Sequence, residues 1–114
     1  MRDPNCVFCK IAAGDIKADV VHQDDDVVAF KDLNPKAPLH VLVIPREHVA
    51  SLTDAPEPRL VGLLALTAAK VATDAGYARK GFRLVANSGP DAGQSVFHLH
   101  LHVLAGRKLA WPPG

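Results

Sequence analysis

The spacing of hydrophobic residues along this chain changes period several times, and two stretches follow the helical period. The first predicts a short helix over "NCVFCKIAAG", because its apolar stripe has helical spacing and Gly14 follows its end. The second predicts one long helix over "EPRLVGLLALTAAKVATDAG", with leucines at helical positions. Pro56 and Pro58 open this long helix, and Gly76 is its expected C-cap.

Five other apolar segments predict β-strands. The acidic run at 24–26 lies between "VVHQ" and "VVAFKDL" and suits a solvated turn between paired strands. Two more strands are predicted at "LHVLVIP" and "FRLVAN", and a closing strand at "VFHLHLHVL". The order helix, strands, helix, strands predicts an α+β fold in which one helix packs on an antiparallel sheet.

Length and charge narrow the possible classes of protein. The 114 residues suit one domain, and the 13 Lys and Arg nearly balance the 12 Asp and Glu. No basic patch stands out, so we expect no nucleic-acid partner. The longest apolar region is too short and too polar for a membrane span, and the N-terminal segment lacks the apolar run of a signal peptide. We therefore expect a cytoplasmic protein with reduced thiols and no membrane partner.

The two cysteines, Cys6 and Cys9, have the spacing C-x-x-C. In a reducing compartment this spacing is typical of half a zinc site or of a redox pair. A redox pair usually follows a β-strand inside a βαβ unit, whereas almost nothing precedes Cys6 in this chain. Free cysteine also packs well as a small apolar residue, so two buried thiols in the first helix are a third interpretation.

The closing segment places His98, His100 and His102 at every second position. On a strand these three side chains share one face, and the leucines and valine between them share the other. The outer two would lie about 13 Å apart along a strand, at about 3.3 Å per residue. Two ligands of one zinc ion lie within about 4 Å of each other, so a single metal does not explain all three histidines.

The loop before these histidines contains Gly89, Gly93 and Ser95. Glycines let backbone N–H groups approach and cradle an anion. A neutral imidazole beside a bound phosphate can attack phosphorus, and a neighbouring imidazole can hold charge or move a proton. The residues alone suggest phosphoryl or nucleotidyl transfer through a histidine intermediate, with a hydrogen-bonded structural row of histidines as the alternative.

The order histidine, apolar, histidine, apolar, histidine, two apolars over 98–104 resembles the signature of the histidine triad (HIT) family. Three segments resemble its Hint branch, the histidine triad nucleotide-binding proteins. They are "NSGPDAGQSVFHLHLHVLAGR", "FKDLNPKAPLHVLVIPREH" and the terminal "WPPG". The resemblance implies a single HIT domain over 1–114 with a five-stranded antiparallel sheet and one long and one short helix. It also implies that the sheet continues across a homodimer.

The resemblance further implies a purine nucleoside phosphoramidate hydrolase of the adenosine 5'-monophosphoramidase type. By this match His100 is the nucleophile, and the backbone carbonyl of His98 holds its Nδ1–H. His102 binds the phosphate oxygens, His40 lies beside the nucleophile, and Ser95 assists protonation of the leaving nitrogen. The alternatives are a dinucleoside polyphosphate hydrolase of the same family and a non-enzymatic nucleotide- or zinc-binding adaptor.

Further positions match the nucleotide-binding residues of the family. Asp32 matches the acid that binds the ribose, and one carboxylate can accept hydrogen bonds from both hydroxyls of a cis-diol. Asn87 and the amides around Gly93 and Ser95 match the groups that position the phosphate. Five apolar residues, each of which ordinary core packing also explains, match the slot for the base: Phe8, Ile11, Ile16, Phe30 and Leu33.

The resemblance also suggests a role for the cysteine pair. Some HIT relatives hold a structural zinc ion with C-x-x-C and two histidines, and the matching residues are Cys6, Cys9, His48 and His98. Four ligands of this kind suit tetrahedral zinc with no open position. The alternative is that His48 is a surface residue and His98 a hydrogen-bonded support. No organic cofactor is expected.

Overall fold

The fold is described by a computed structural model that covers residues 2–55 and 57–114. It contains two α-helices, five β-strands and two short 3₁₀ turns. The helices are α1 (Val7–Ala13) and α2 (Pro58–Asp74), and the strands are β1 (Val20–Gln23), β2 (Val27–Lys31), β3 (Leu39–Pro45), β4 (Phe82–Val85) and β5 (Leu101–Ala105). The 3₁₀ turns are Leu52–Asp54 and Pro90–Ala92.

The five strands form one sheet in the order β1-β2-β3-β5-β4, and every neighbouring pair is antiparallel. The α+β fold expected from the sequence is therefore confirmed. β4 lies at one edge of the sheet. The central strands β3 and β5 contain His40 and His102, and His98 and His100 lie just before β5. Among the described residues, no helix is long and apolar enough to cross a membrane.

Both faces of the central sheet are buried, by a different helix on each side. Along β2, Val27 and Ala29 belong to the apolar cluster that includes α2, whereas Val28 and Phe30 belong to the cluster that includes α1. This alternation follows from the period of two along a strand. A strand that is covered on both faces needs apolar residues at every position, which explains the continuous hydrophobic run in β3.

The helix ends agree with most of the sequence signals. Gly14 takes a left-handed conformation directly after α1, as predicted. α2 begins at Pro58, but its C-cap is Ala75 and Gly76 lies one residue further on, with φ +91°. The prediction was therefore wrong by one residue, because the left-handed position of this helix end comes after the cap. Pro56 lies outside the described residues.

The closing strand is shorter than predicted. It begins at Leu101, and the residues from 96 to 100 are outside the sheet. The ladder to β3 stops at the pair Val43–Leu101 although β3 continues to Pro45, because Pro45 has no N–H to donate and its carbonyl accepts from the His98 ring. Instead, the N–H of Leu99 donates to the carbonyl of Val49 at 2.6 Å. The apolar row still faces α2, because Leu99 packs in the same cluster as Leu101 and Val103.

Candidate functional site

Two groups of polar side chains lie near His100, and each could offer several ligand atoms to a metal ion. The cysteine–histidine cluster consists of Cys6, Cys9, His48 and His98. The aspartate–histidine cluster consists of Asp32, His40 and His102. Within each cluster the ligand atoms lie within 4.8 Å of one another. The first and third histidines of the triad thus belong to different clusters, as the strand spacing predicted.

The cysteine–histidine cluster has distances that suit a tetrahedral metal. Nδ1 of His98 lies 3.4 Å from Sγ of Cys6 and 3.5 Å from Sγ of Cys9. Sγ of Cys9 also lies 3.3 Å from Nδ1 of His48. Sulfur and nitrogen ligands on one tetrahedral zinc are expected about 3.5 Å apart, from bond lengths of about 2.3 and 2.1 Å. The residues present therefore fit a zinc ion, although the same contacts can be S–H···N hydrogen bonds.

The ring of His98 is oriented by a backbone carbonyl. Its Nε2 lies 2.8 Å from the carbonyl oxygen of Pro45 and must donate, because a carbonyl only accepts. In the neutral ring this leaves the lone pair on Nδ1, directed at the two thiols. Burial lowers the pKa of His98 to about 4, so the ring is neutral near pH 7. A neutral ring tied through its other nitrogen is the usual arrangement of a metal-binding histidine.

The protonation state of the thiols opposes metal binding, whereas that of the neutral imidazoles does not. Both cysteines are buried and free, and burial raises the pKa of the Cys9 thiol. A metal ion would have to displace the thiol protons, since the thiolate is the ligand. The loss of these protons would make metal binding depend on pH.

His100 is held by a neighbouring backbone group. Its Nδ1 lies 2.7 Å from the carbonyl oxygen of His98 and donates to it, which leaves the lone pair on Nε2. The ring is buried, with its centroid 5.2 Å from Phe8 in an edge-to-face contact and 5.1 Å from His102. The predicted hydrogen bond to His98 is confirmed, and the role of His100 as nucleophile remains a prediction.

A chain of hydrogen bonds sets the tautomers in the aspartate–histidine cluster. The backbone N–H of Lys36 donates to Nδ1 of His40 at 3.0 Å, so the hydrogen of the neutral His40 ring is on Nε2. That Nε2 lies 2.9 Å from Nδ1 of His102 and donates to it. The neutral ring of His102 must then carry its own hydrogen on Nε2. The chain therefore ends in an N–H donor beside His100.

The charge state of this cluster supports the same assignment. Burial lowers the pKa of His40, although Asp32 partly offsets the effect, and the Asp32 Oδ2 lies 3.5 Å from Nε2 of His40. Burial lowers the pKa of His102 to about 4, with smaller contributions from His100 and His40. Both rings are neutral near pH 7, so each can donate with one nitrogen and accept with the other.

The predicted base slot is only partly assembled. Phe8 and Phe30 are buried in edge-to-face contact at 5.5 Å, and Ile11 packs against the same cluster. Ile16 is exposed, and Leu33 is 100% exposed. The structure therefore places an aromatic pair beside His100, while two of the five predicted residues lie on the surface.

The glycine loop has the predicted backbone, but not every predicted side chain is engaged. Gly89 and Gly93 have φ of +88° and +87°, on either side of the 3₁₀ turn. Such angles favour glycine. Asn87 is half-buried and Ser95 is exposed, and within the described part of the chain neither side chain hydrogen-bonds to a histidine.

Gln94 is a residue that the sequence analysis missed. It is buried, its Oε1 accepts from the N–H of Gly89 at 2.9 Å, and its Nε2 donates to the carbonyl of Ala50 at 2.8 Å. Gln94 thus ties the loop to the segment after β3. The sequence signal for this role was a single amide, able to donate and accept, between the loop glycines and an apolar segment.

Known proteins are similar to this chain in both sequence and fold. The family model described as HIT domain matches residues 13–109. A HIT-like protein of Synechocystis sp. is 51% identical over 110 residues, which cover 95% of this chain and 96% of that protein. The protein named adenylylsulfatase HINT1 of Arabidopsis thaliana is 43% identical over 116 residues, which cover 98% of this chain and 78% of that protein.

Two solved structures show the same architecture. A HIT family hydrolase from Legionella pneumophila has a TM-score of 0.94 and 45% identity, with 96% of this chain and 100% of that chain covered. A zinc-bound histidine triad family protein from Mycobacterium smegmatis has a TM-score of 0.82 and 37% identity, with 94% and 81% covered. With the family model matching most of its length, this chain belongs to the HIT domain family, as its histidine triad predicts.

Proposed function

We propose that the protein is a purine nucleoside phosphoramidate hydrolase that acts through a nucleotidyl intermediate on His100. The observation that carries this proposal is the 2.7 Å hydrogen bond from Nδ1 of His100 to the carbonyl of His98, which leaves Nε2 as a nucleophile. The neutral N–H of His102 supports it, because a donor beside the nucleophile can stabilise charge on the phosphate oxygens.

The reaction has two displacements at the α-phosphorus. Nε2 of His100 forms a bond to phosphorus while the bond from phosphorus to the amine nitrogen breaks, and Ser95 assists protonation of that nitrogen. Water then attacks the same phosphorus and releases a proton, which replaces the one delivered to the amine, while the bond to His100 breaks and the nucleoside monophosphate leaves. The N–H of His102 binds the phosphate oxygens in both steps, and His40 keeps His102 in the donating tautomer.

The other predicted residues bind the nucleotide. Asp32 accepts hydrogen bonds from the ribose hydroxyls, and the amides around Gly93 and Ser95, with Asn87, position the phosphate. The base lies against Phe8 and the remaining slot residues, which are Ile11, Ile16, Phe30 and Leu33. Closure of the exposed members, Ile16 and Leu33, over a base would cover apolar surface that is exposed in the free chain.

We also propose that the cysteine–histidine cluster holds a structural zinc ion. Its distances support this, as does the hydrogen bond from His98 to Pro45. A relative with 37% identity is described as zinc-bound. The ion would contribute folding stability rather than chemistry, because all four ligands come from the protein. No organic cofactor is needed for the two displacements.

A homodimer is the proposed assembly. The edge strand β4 is unpaired on one side within the described chain, and Leu66 on α2 is 72% exposed. Pairing through this strand and α2 would continue the sheet and cover an apolar surface. The cytoplasmic location and the absence of a nucleic-acid partner remain predictions.

The test is the release of an amine from an adenosine phosphoramidate. We expect turnover by the native protein and a loss of about 10³-fold or more in His100→Ala, since the variant has no nucleophile. The matched control is His22→Ala, which removes a histidine outside both clusters and should retain native turnover.

Parallel assays decide between the alternatives. Adenylyl sulfate and a diadenosine polyphosphate are tested as substrates, the first because of the name of the Arabidopsis relative. Faster turnover of the diadenosine polyphosphate would favour the alternative of a dinucleoside polyphosphate hydrolase. Binding of AMP without turnover of any of these substrates would favour the adaptor. Native turnover by His100→Ala would refute the nucleophile assignment.

A further inference from the structure

A cavity of about 720 Å³ lies away from the histidines, where the chain leaves the end of β5. It is formed by the turn after α2, the beginning of β4 and the segment that follows Ala105. Its volume is in the range of about 300–1,000 Å³ that is typical of small-molecule sites. Its lining includes no member of the triad and no member of either cluster. It is therefore a separate site.

Four cations line this cavity, and no acidic residue does: Lys80, Arg83, Arg107 and Lys108. Within residues 2–55 and 57–114, none of the four forms an ion pair with a carboxylate. The whole chain is nearly neutral, with 13 Lys and Arg against 12 Asp and Glu, so the composition does not account for this cluster. Uncompensated charges of one sign in a concave site attract ligands of the opposite sign.

The two arginines are held in place by neutral groups. Arg83 donates from Nη2 to the carbonyls of Leu109 and Ala110, at 3.2 and 3.0 Å. Arg107 donates from Nε to the carbonyl of Lys36 at 2.9 Å and from Nη1 to that of Lys108 at 3.0 Å. Carbonyl oxygens fix the guanidinium groups without cancelling their charge, and other N–H groups on each remain for a ligand.

The backbone beside the cavity is closely packed. Gly106 has φ +97°, and a Cβ atom there would lie 2.7 Å from Cβ of Pro38 and 3.1 Å from the hydroxyl of Tyr77. The glycine is thus required for the turn that brings Arg107 to the cavity. Tyr77 and Phe82 also line the cavity, so ring surfaces lie beside the cations.

We propose that this cavity binds an oligophosphate group of two or more phosphates, either free or as part of a nucleotide. The arginines would each bind phosphate oxygens with paired N–H donors, and the lysines would add charge. The rings of Tyr77 and Phe82 would contact the nucleoside when one is present. This binding does not depend on the proposed hydrolase activity, because none of the catalytic residues takes part.

The test is calorimetric titration of the native protein, in its own oligomeric state, with pyrophosphate and tripolyphosphate in a chloride buffer. The double variant Lys80→Gln/Lys108→Gln should bind at least about 10-fold more weakly, since two of four charges are lost. The control Lys10→Gln/Lys17→Gln changes the net charge equally but lies outside the cavity, and should bind as the native protein does. His102→Ala should retain the affinity.

Titrations with ATP show whether the bound phosphates belong to a nucleotide. A larger loss of affinity for ATP than for tripolyphosphate in Lys80→Gln/Lys108→Gln would support a nucleotide ligand in the cavity, and equal losses for the two would support the oligophosphate group alone. Equal losses in both double variants, or amide resonance shifts confined to residues 98–102, would overturn the proposal. It would also fail if pyrophosphate did not bind and Lys80→Gln/Lys108→Gln changed the sedimentation coefficient, because a second copy of the chain would then occupy the cavity.

Discussion

The cysteine–histidine cluster and the aspartate–histidine cluster lie on either side of His100 and differ in where their hydrogen bonds end. In the first, the Nε2–H of His98 is used by Pro45, and Nδ1 faces two thiols. In the second, the Nε2–H of His40 donates to Nδ1 of His102. The Nε2–H of His102 has no partner among the described residues. A closed set of ligands suits a structural role, whereas a free donor suits contact with a substrate.

The comparison shows how one side chain can serve different purposes within five residues of sequence. His98 and His102 both have a pKa of about 4 because both are buried, so the pKa does not distinguish them. The two rings differ in the hydrogen bond that orients them. Nε2 of His98 donates to a backbone carbonyl, whereas Nδ1 of His102 accepts from an imidazole N–H.

The largest effect is expected from removing the thiols. The variant Cys6→Ala/Cys9→Ala should lose zinc and about 4 kcal/mol or more of the free energy of unfolding, because binding of a structural metal is coupled to folding. Urea unfolding and elemental analysis of untagged protein measure both. Val7→Ala, on the exposed side of the same helix, should stay within about 0.5 kcal/mol. Zinc-free native protein would contradict the assignment of the first cluster.

The next effect is on catalysis and concerns the second cluster. His40→Ala should lower kcat about 10²-fold, or about 2.7 kcal/mol, because His102 would lose the donor that fixes its tautomer. His40→Gln, whose amide can donate in the same direction, should recover part of this loss. Equal kcat values for Ala and Gln would show that the hydrogen bond to His102 is not what matters, and His22→Ala serves as the control.

A smaller effect is expected on the pH dependence of stability. Since the pKa of His102 is about 4 in the folded protein and the ordinary pKa of histidine is 6.5, the unfolded chain binds more protons between these pH values. The free energy of unfolding should therefore fall as pH falls from 6.5 to 4, by up to about 1.4 kcal/mol per pH unit for this group. Urea unfolding of the native protein should show a steeper slope than His102→Gln, and parallel slopes would refute the assignment.

The smallest effect is expected at the rim of the base slot, beside the second cluster. Leu33 is fully exposed, so Leu33→Ala should change the free energy of unfolding by less than about 0.5 kcal/mol. Loss of apolar contact with a bound base should raise KM about 3- to 10-fold and leave kcat unchanged. Val7→Ala, which shortens another exposed apolar side chain, should change neither. An unchanged KM in Leu33→Ala would remove this residue from the slot.

The helices and the sheet were predictable because their signals are periodic and local. The start of β5 was not, because the extent of a strand depends on the hydrogen-bonding groups of its partner, and Pro45 of β3 has no N–H to donate. No pattern in the residues from 96 to 100 reveals that limit. For the same reason His98 could be expected beside His100, but its hydrogen bond to Pro45 could not.

The site was predictable where a motif identifies it. The pairing of the cysteines with His48 and His98 came from the family resemblance, since these residues are far apart in the chain. The roles of Gln94 and of the Lys36 N–H were not predictable, because the signal for the first is only a single amide and the second is a backbone group. The cation-lined cavity was missed because its charges come from two segments, at 80–83 and 107–108, that only the β4–β5 pairing brings together.

The histidines are oriented largely by main-chain atoms: the carbonyls of Pro45 and His98 and the N–H of Lys36. Alanine at these three positions deletes none of those atoms, so alanine scanning will underestimate their importance. An amide-to-ester exchange at residue 36, introduced by chemical synthesis, would remove the donor to His40 and leave every side chain unchanged. In this protein, backbone chemistry is the more direct way to measure how the tautomers are controlled.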